Sequence, residues 1–281
     1  MASLTWYDGR WYTEPPRLLG PLDHAFWMAS VAFDGARAFH GLVPDLDRHC
    51  ARLVESARKL LLAPGFDAAE IETLCREGVR RMPADAELYV RPMFYATDGF
   101  VTPDPASTRF VLVLHDAALP EPRGFSACLS PFRRPARDMA PTDAKASCLY
   151  PNMQRALAEA RGRGFDNAVT LDPAGNVAEL ATANLWLVKD DVAVTPVGNG
   201  TFLAGITRQR VLELLRADGI VAVEATVTPD ELRGADELFS TGNYGKVLPI
   251  SRFADRSLPI GPISRRAREL YMTFARGQPV E

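Results

Sequence analysis

Residues 141-PTDAKASCLYPNMQ-154 set one lysine among small residues, a few positions ahead of a helix start. Lysine is scarce in this chain: Lys59, Lys145, Lys189 and Lys246 are the only four among 32 basic residues, and the rest are arginine. An ε-amine can shed its proton and attack a carbonyl, which a guanidinium cannot do. Lys145 is therefore either a surface residue placed by chance or a nucleophile, and the rest of the chain has to decide between the two.

Working outward from Lys145, the N-terminal side reads as an αβ region. WYDGRW predicts a hairpin through Asp8-Gly9, and 26–39 is a mixed apolar run with room for a strand. A helix is predicted over 46–62, with Leu46, Cys50, Leu53, Val54, Ala57, Leu60 and Leu61 on one face and Asp45 or Asp47 as its cap. A second helix is predicted over 67–82, then strands over 87–96 and 109–116. The stretch 117-AALPEPRGF-125 has the proline and glycine content of an exposed linker, which predicts domains at 1–118 and 125–281 joined by 119–124. Beyond it, strand signals at 125–132 and 167–197, with turns at Pro173–Asn176 and Lys189–Asp191, alternate with helices at 151–163, 206–217 and 263–275. No internal repeat or low-complexity tract is visible.

At 281 residues with 47% hydrophobic and 24% charged content, the chain supports a full-sized core. A formal charge of −3 provides no broad basic surface, which argues against nucleic acid or an anionic membrane and for small-molecule partners. The first residues, MASLTWYDGRWYTEPP, lack a basic segment followed by an apolar one, so a soluble, cytoplasmic protein is expected. The four cysteines have no zinc-ligand spacing. Reduced, mostly buried thiols are expected, Cys148 is read as a packing residue, and no metal site is expected. His24, His40, His49 and His115 are isolated and are assigned no catalytic role.

Three further features carry chemistry. Gly205-Ile206-Thr207 precedes a periodic run, so the Ile206 and Thr207 amides form either an anion site or an ordinary helix start capped by Thr207. The turn 240-STGNYGKV-247 offers a second polar cradle. Glu179 sits in 177-VAELATANLWLV-188 among small and apolar residues, where a carboxylate needs a partner: a protonated heterocyclic nitrogen or an arginine. Tyr89 and Arg91 share one face of a predicted strand, placed either for a substrate carboxylate or for a buried salt bridge. An imine-forming lysine, a carboxylate for a pyridinium nitrogen and donors for a phosphate are together what pyridoxal 5'-phosphate requires, with Tyr150 available to its phenolate oxygen.

The segments 33-FDGAR-37, 46-LDRHCARLVESAR-58, 89-YVRP-92, 132-FRRPARDMAPTDAKASCLY-150, 177-VAELATANLW-186, 203-LAGITRQRV-211 and 239-FSTGN-243 resemble, in order and spacing, the class IV (fold-type IV) pyridoxal-phosphate aminotransferases. The branched-chain amino acid enzymes are the nearest branch, and Glu179 follows Lys145 by 34 positions. The resemblance implies an α/β (α+β) two-domain fold, with a small N-terminal αβ domain and a larger β-barrel-like cofactor domain flanked by helices. It implies Lys145 as the Schiff-base lysine and Glu179 as partner of the ring nitrogen. Tyr150 would contact the phenolate oxygen, Leu203 would pack on the ring, and Arg48, Ile206, Thr207 and Asn243 would hold the phosphate. Phe33, Arg37, Tyr89, Arg91 and Tyr244 fall at substrate-side positions. The implied reaction exchanges an amino group between a branched-chain or other hydrophobic L-amino acid and a 2-oxo acid such as 2-oxoglutarate, in a homodimer or higher oligomer.

Some positions depart from the branched-chain pattern. Met28 replaces a tyrosine, 98-DGFVTP-103 lacks a glycine-rich stretch, and 243-NYG-245 replaces a threonine-alanine turn. They leave open a D-amino acid or (R)-amine transaminase, or an aminodeoxychorismate lyase, each built on the same cofactor residues.

Overall fold

A computed structural model describes residues 2–280, and the chain forms two compact units there. One unit comprises the chain up to Leu119, the short return Ala144–Leu149 and the stretch from Ala275 onward. The other comprises Pro120–Asp143 and Tyr150–Phe274. The chain first passes from one unit to the other at Leu119–Pro120, and the units are not contiguous in the chain: six residues around Lys145 belong to the first.

The first unit is built on a six-stranded sheet. Its elements are β1 (Ser3–Tyr7), β2 (Arg10–Tyr12), α1 (His24–Met28), β3 (Val31–Phe33), β4 (Ala36–Ala38), α2 (Leu46–Lys59), α3 (Ala68–Arg80), β5 (Leu88–Ala96) and β6 (Thr108–Asp116). The strand order is β2-β1-β6-β5-β3, with β4 also paired to β5. Over most of its length β5 alternates as a half-buried strand should: Leu88, Val90 and Pro92 turn inward, while Tyr89, Arg91 and Met93 turn to the other face. Residues 26–28 belong to α1, and Pro92 explains why the strand signal beyond them is divided between β3 and β4. It has no N–H to donate, and opposite it the partner chain breaks at Asp34-Gly35, between β3 and β4, with only Asp34 N to Pro92 O at 3.1 Å spanning the gap.

Helix α2 buries Leu46, Cys50, Leu53, Val54 and Ala57 as its periodicity predicts, but Leu61 lies past its end and is exposed. The expected aspartate cap is absent: Asp45 holds the cap position at φ 57 without a side-chain capping bond, and its Oδ1 lies 3.9 Å from Arg48 Nε. Helix α3 is closed by a full capping box between Asp67 and Glu70.

The second unit contains β7 (Phe125–Arg133), α4 (Tyr150–Gly162), β8 (Asn167–Leu171), β9 (Val177–Leu180), β10 (Asn184–Lys189), β11 (Val192–Pro196), α5 (Ile206–Ala217), β12 (Ala222–Ala225), α6 (Pro229–Arg233), β13 (Glu237–Gly242), β14 (Lys246–Phe253), β15 (Arg256–Ser257) and α7 (Pro262–Arg276). Its nine-stranded sheet runs β12-β11-β10-β13-β14-β7-β8-β9, with β15 beside β14. Helices α4 and α5 make the crossovers between the parallel pairs β7/β8 and β11/β12. Strand β9 also packs against β10 and β11, so the sheet curls on itself. Glu237 anchors α7 by accepting from Ile263 N at 3.1 Å and Ser264 N at 2.9 Å, a carboxylate placed at a helix N-terminus. This mixed α/β architecture is the class expected from the sequence. Cys50, Cys75 and Cys128 are buried free thiols; Cys148 is exposed, so its reading as a packing residue is corrected.

Candidate active site

In the first unit, the return segment places Lys145 along the edge of β3. Phe33 N donates to Lys145 O at 3.1 Å, Ala146 bridges Ala32, and Ser147 Oγ donates to Val31 O at 3.3 Å. On the other side, Lys145 N donates to Ser56 Oγ of α2 at 3.0 Å. Both main-chain groups of Lys145 are therefore held, and its Nζ lies 5.0 Å from the Phe33 ring centroid.

Behind Phe33, Asp34 is fully buried and tied to α2. It accepts from His49 Nδ1 at 2.7 Å, from Arg52 Nε at 2.7 Å and Nη2 at 2.9 Å, and from Gly35 N at 2.7 Å. Burial alone would raise the Asp34 carboxyl, but the charges and hydrogen bonds of Arg52 and His49 outweigh it and hold it well below the usual carboxylate range. His49, assigned no role from the sequence, is a buried member of this network.

Tyr89, Arg91 and Arg37 meet on the sheet as predicted for the first two. Arg37 is the cross-strand partner of Tyr89, the Arg91 guanidinium sits 5.4 Å from the Tyr89 ring, and the His115 ring lies 5.6 Å from it. Arg91 Nε is buried without a hydrogen-bond partner. Arg37 is fully buried, and its Nη1 and Nη2 donate to Ala117 O at 2.6 Å and Ala118 O at 2.9 Å. Burial, then Arg91 and Arg37, lower the pKa of His115. The hydroxyl of Tyr89 occupies the space that a side chain at Gly35 would need: a Cβ there would stand 2.1 Å from Tyr89 Oη.

In the second unit, Glu179 on β9 is 9% exposed and has the arginine partner that the sequence allowed, with Arg134 Nε 3.5 Å from Oε1. It has a second partner that sequence reasoning did not assign: Asn184 Nδ2 donates to Glu179 Oε2 at 3.1 Å and to Leu203 O at 3.3 Å. Asn184 Oδ1 lies against Gly205, where a Cβ would approach to 1.8 Å. Since Gly205 is the cap of α5, Thr207 lies inside the helix and the Ile206 and Thr207 amides stand in its first turn, where no intrahelical acceptor exists. One asparagine thus gathers Glu179, Leu203 and the start of α5.

Asn184 is also the cross-strand partner of Thr241 on β13, two residues before Asn243. Asn243 Oδ1 accepts from Lys246 Nζ at 2.9 Å, while its Nδ2 is buried and has no hydrogen-bond partner. Tyr150 opens α4 half-buried, and Tyr244 is exposed. A cavity of about 580 Å³ beside this turn is lined by Thr182, Ala183, Gly242, Tyr244, Lys246 and residues of α4, among others. Among the described residues no cluster suited to a metal ion occurs, and no helix is long and apolar enough to cross a membrane.

The family model described as amino-transferase class IV matches residues 31–253. The chain belongs to the class IV aminotransferases. This aminotransferase is similar to an aminotransferase from Brucella abortus solved bound to the co-factor PLP: 47% identity, 98% of this chain and 100% of that one covered, TM-score 0.97. It is also similar to a branched-chain aminotransferase from the archaeon Thermoproteus uzoniensis solved with norvaline, at 29% identity over 100% of both chains and a TM-score of 0.92. A branched-chain-amino-acid aminotransferase of Pseudomonas aeruginosa is 30% identical, with 98% of this chain and 94% of that protein covered.

Class IV aminotransferases use pyridoxal 5'-phosphate, as the sequence led one to expect, and the donor set of this one fits the group. The first unit by itself offers an amine on a fixed backbone at Lys145; the second by itself offers a mostly buried carboxylate at Glu179 and N–H donors at the start of α5. The orphaned Asn243 Nδ2 asks for an acceptor that a phosphate oxygen would supply.

Proposed function

We propose that this aminotransferase moves an amino group between a branched-chain or other hydrophobic L-amino acid and a 2-oxo acid such as 2-oxoglutarate. Bound pyridoxal 5'-phosphate supplies an electron sink that lowers the cost of removing the substrate's α-proton. Lys145 Nζ is the amine that would hold the cofactor and that, when free and neutral, would carry the substrate's α-proton. The clamp on its main chain by Phe33 and Ser56 restricts the motion to the side chain. Glu179, oriented by Asn184, keeps a proton at the ring nitrogen. Tyr150 donates to the phenolate oxygen, and Leu203 packs on the ring. Arg48 and the amides of Ile206 and Thr207, with Asn243, hold the phosphate. Phe33, Arg37, Tyr89, Arg91 and Tyr244 form the substrate side, with Arg37 held in place by the Ala117 and Ala118 carbonyls across from Tyr89.

The observation that carries this reading is the near full-length likeness to branched-chain enzymes, joined to the Tyr89–Arg91 face with its unpartnered Arg91 Nε. The enzyme works in the cytoplasm as at least a homodimer. Three buried free thiols support a reducing compartment, and the exposed apolar group Leu22, Phe26, Trp27, Phe100 and Val101 supports a self-association face.

The test is a set of half-reactions. Holoenzyme is mixed separately with L-leucine, D-alanine and (R)-1-phenylethylamine, and the cofactor's visible absorbance is followed. L-Leucine is expected to bleach it. A response to D-alanine or the amine alone, or pyruvate release without an acceptor, would overturn the substrate assignment. Borohydride reduction should leave the cofactor on the peptide containing Lys145.

A further inference from the structure

Lys246 opens β14 with a left-handed backbone, φ 60, and is 1% exposed. A non-glycine residue held in that region while its long side chain is buried carries a cost, so the contacts it makes have to offset it. Its Nζ donates to Asn243 Oδ1 at 2.9 Å and lies 5.6 Å from the ring centroid of Tyr271, on the well-anchored helix α7. A lysine offers hydrogens and no acceptor, so the asparagine must turn its oxygen toward Nζ. The amide is thereby locked in one of its two flips, with Nδ2 pointing away. That Nδ2 is the buried donor without a partner.

We propose that Lys246 is a positioning residue for the cofactor phosphate: it fixes the Asn243 amide so that Nδ2 donates to a phosphate oxygen. The inference rests on the pyridoxal-phosphate chemistry proposed above and deepens it. A freely flipping amide would present its oxygen to the phosphate half of the time, and that orientation repels an anion. Lys246 removes it. The neighbourhood suits an anion as well. Asn243 follows β13 by one residue, β13 is paired to Asn184, and Asn184 abuts Gly205 at the start of α5, whose first amides are donors.

The test compares pyridoxal 5'-phosphate with pyridoxal, which lacks the phosphate, as ligands of the full-length apoenzyme. Wild type, Lys246→Met, Asn243→Ala and the double variant are titrated, and the ³¹P resonance of the reconstituted enzymes is recorded. Lys246→Met is expected to weaken pyridoxal 5'-phosphate binding about tenfold and shift the ³¹P resonance, with pyridoxal affinity unchanged. In the Asn243→Ala background, the loss of Lys246 should cost nothing further. Equal losses for both ligands, or the same loss with and without Asn243, would overturn the proposal. Circular dichroism checks folding, and if Lys246→Met fails to fold, Asn243→Ala alone must show the phosphate-selective loss. A wild type that takes up neither ligand removes the proposed function and this inference together. A wild type that binds while the variants bind equally well removes only the inference.

Discussion

Asn184 Nδ2 donates to Glu179 Oε2 at 3.1 Å across the turn between β9 and β10, and the same amide nitrogen lies 3.3 Å from Leu203 O. Two residues assigned to the cofactor under the proposed function, Glu179 and Leu203, thus hang on one amide, that of Asn184. Replacing it with leucine leaves one carboxylate oxygen and one carbonyl without this donor, and frees Glu179 to lean on Arg134. A hydrogen bond to a charged group is worth ~1.5–3 kcal/mol, so kcat of the Asn184→Leu variant at saturating cofactor should fall roughly 10- to 100-fold. An unchanged kcat would separate Glu179 from the chemistry.

Asp34 should behave as a structural anion. Its carboxyl is held below the usual range against the effect of burial, by Arg52 and His49. Depressed folded-state pKa means that the stabilisation is fully present above the unfolded value, about 4. It is lost as pH falls from there toward the folded value. Urea unfolding should therefore show wild-type stability declining below about pH 4. Asp34→Asn leaves Arg52 and the buried His49 without their carboxylate and should cost ~3–5 kcal/mol at pH 7, with a flatter acid limb.

Gly35 tests the seat of Tyr89. A methyl at this position would meet Tyr89 Oη at 2.1 Å and the ring carbon beside it at 2.6 Å, so the ring must move. Overpacking of this kind costs about 1–3 kcal/mol. Under the proposed function, Gly35→Ala should raise KM for L-leucine more than it lowers kcat, because Tyr89 serves substrate binding and Lys145 is clamped independently. A fall in kcat alone, with KM untouched, would place Tyr89 away from the substrate.

The periodic elements were legible in the sequence. The α5 bounds coincide with the predicted 206–217, and α2, α3, β5, β6 and α7 fall close to their predictions, because apolar spacing is a local signal. The break between β3 and β4 was not read, though Pro92 marked it: its effect shows only once β5 is paired with the other chain segment. The Asp34–His49–Arg52 network was not read: His49 and Arg52 are neighbours at i,i+3 on a predicted helix, but no local spacing brings Asp34, 15 residues before His49, to them. The return of 144–149 to the first unit has no local signature at all, being a matter of edge pairing between residues more than a hundred positions apart. Asn184 lay inside a stretch already singled out for Glu179. A turn that puts residue i+5 back beside a buried carboxylate was the available signal.

His115 carries the last prediction. Its ring stands against Tyr89 on the face shared with Arg91 and Arg37, and burial, followed by the charges of those two arginines, pushes its pKa below the ordinary 6.5, with Asp116 opposing. A histidine whose folded-state pKa is depressed binds its proton more readily when unfolded. Its neutral form therefore contributes fully above about pH 6.5, and the contribution fades as pH drops below that value. The face around Tyr89 and Arg91 consequently keeps its charge on the arginines alone near neutral pH. In His115→Gln, the part of the acid destabilisation in the interval just below pH 6.5 that belongs to this ring should vanish. The urea midpoint of the variant should then fall less steeply than that of wild type over that interval. If the two midpoints run parallel, His115 is not held neutral by this surrounding.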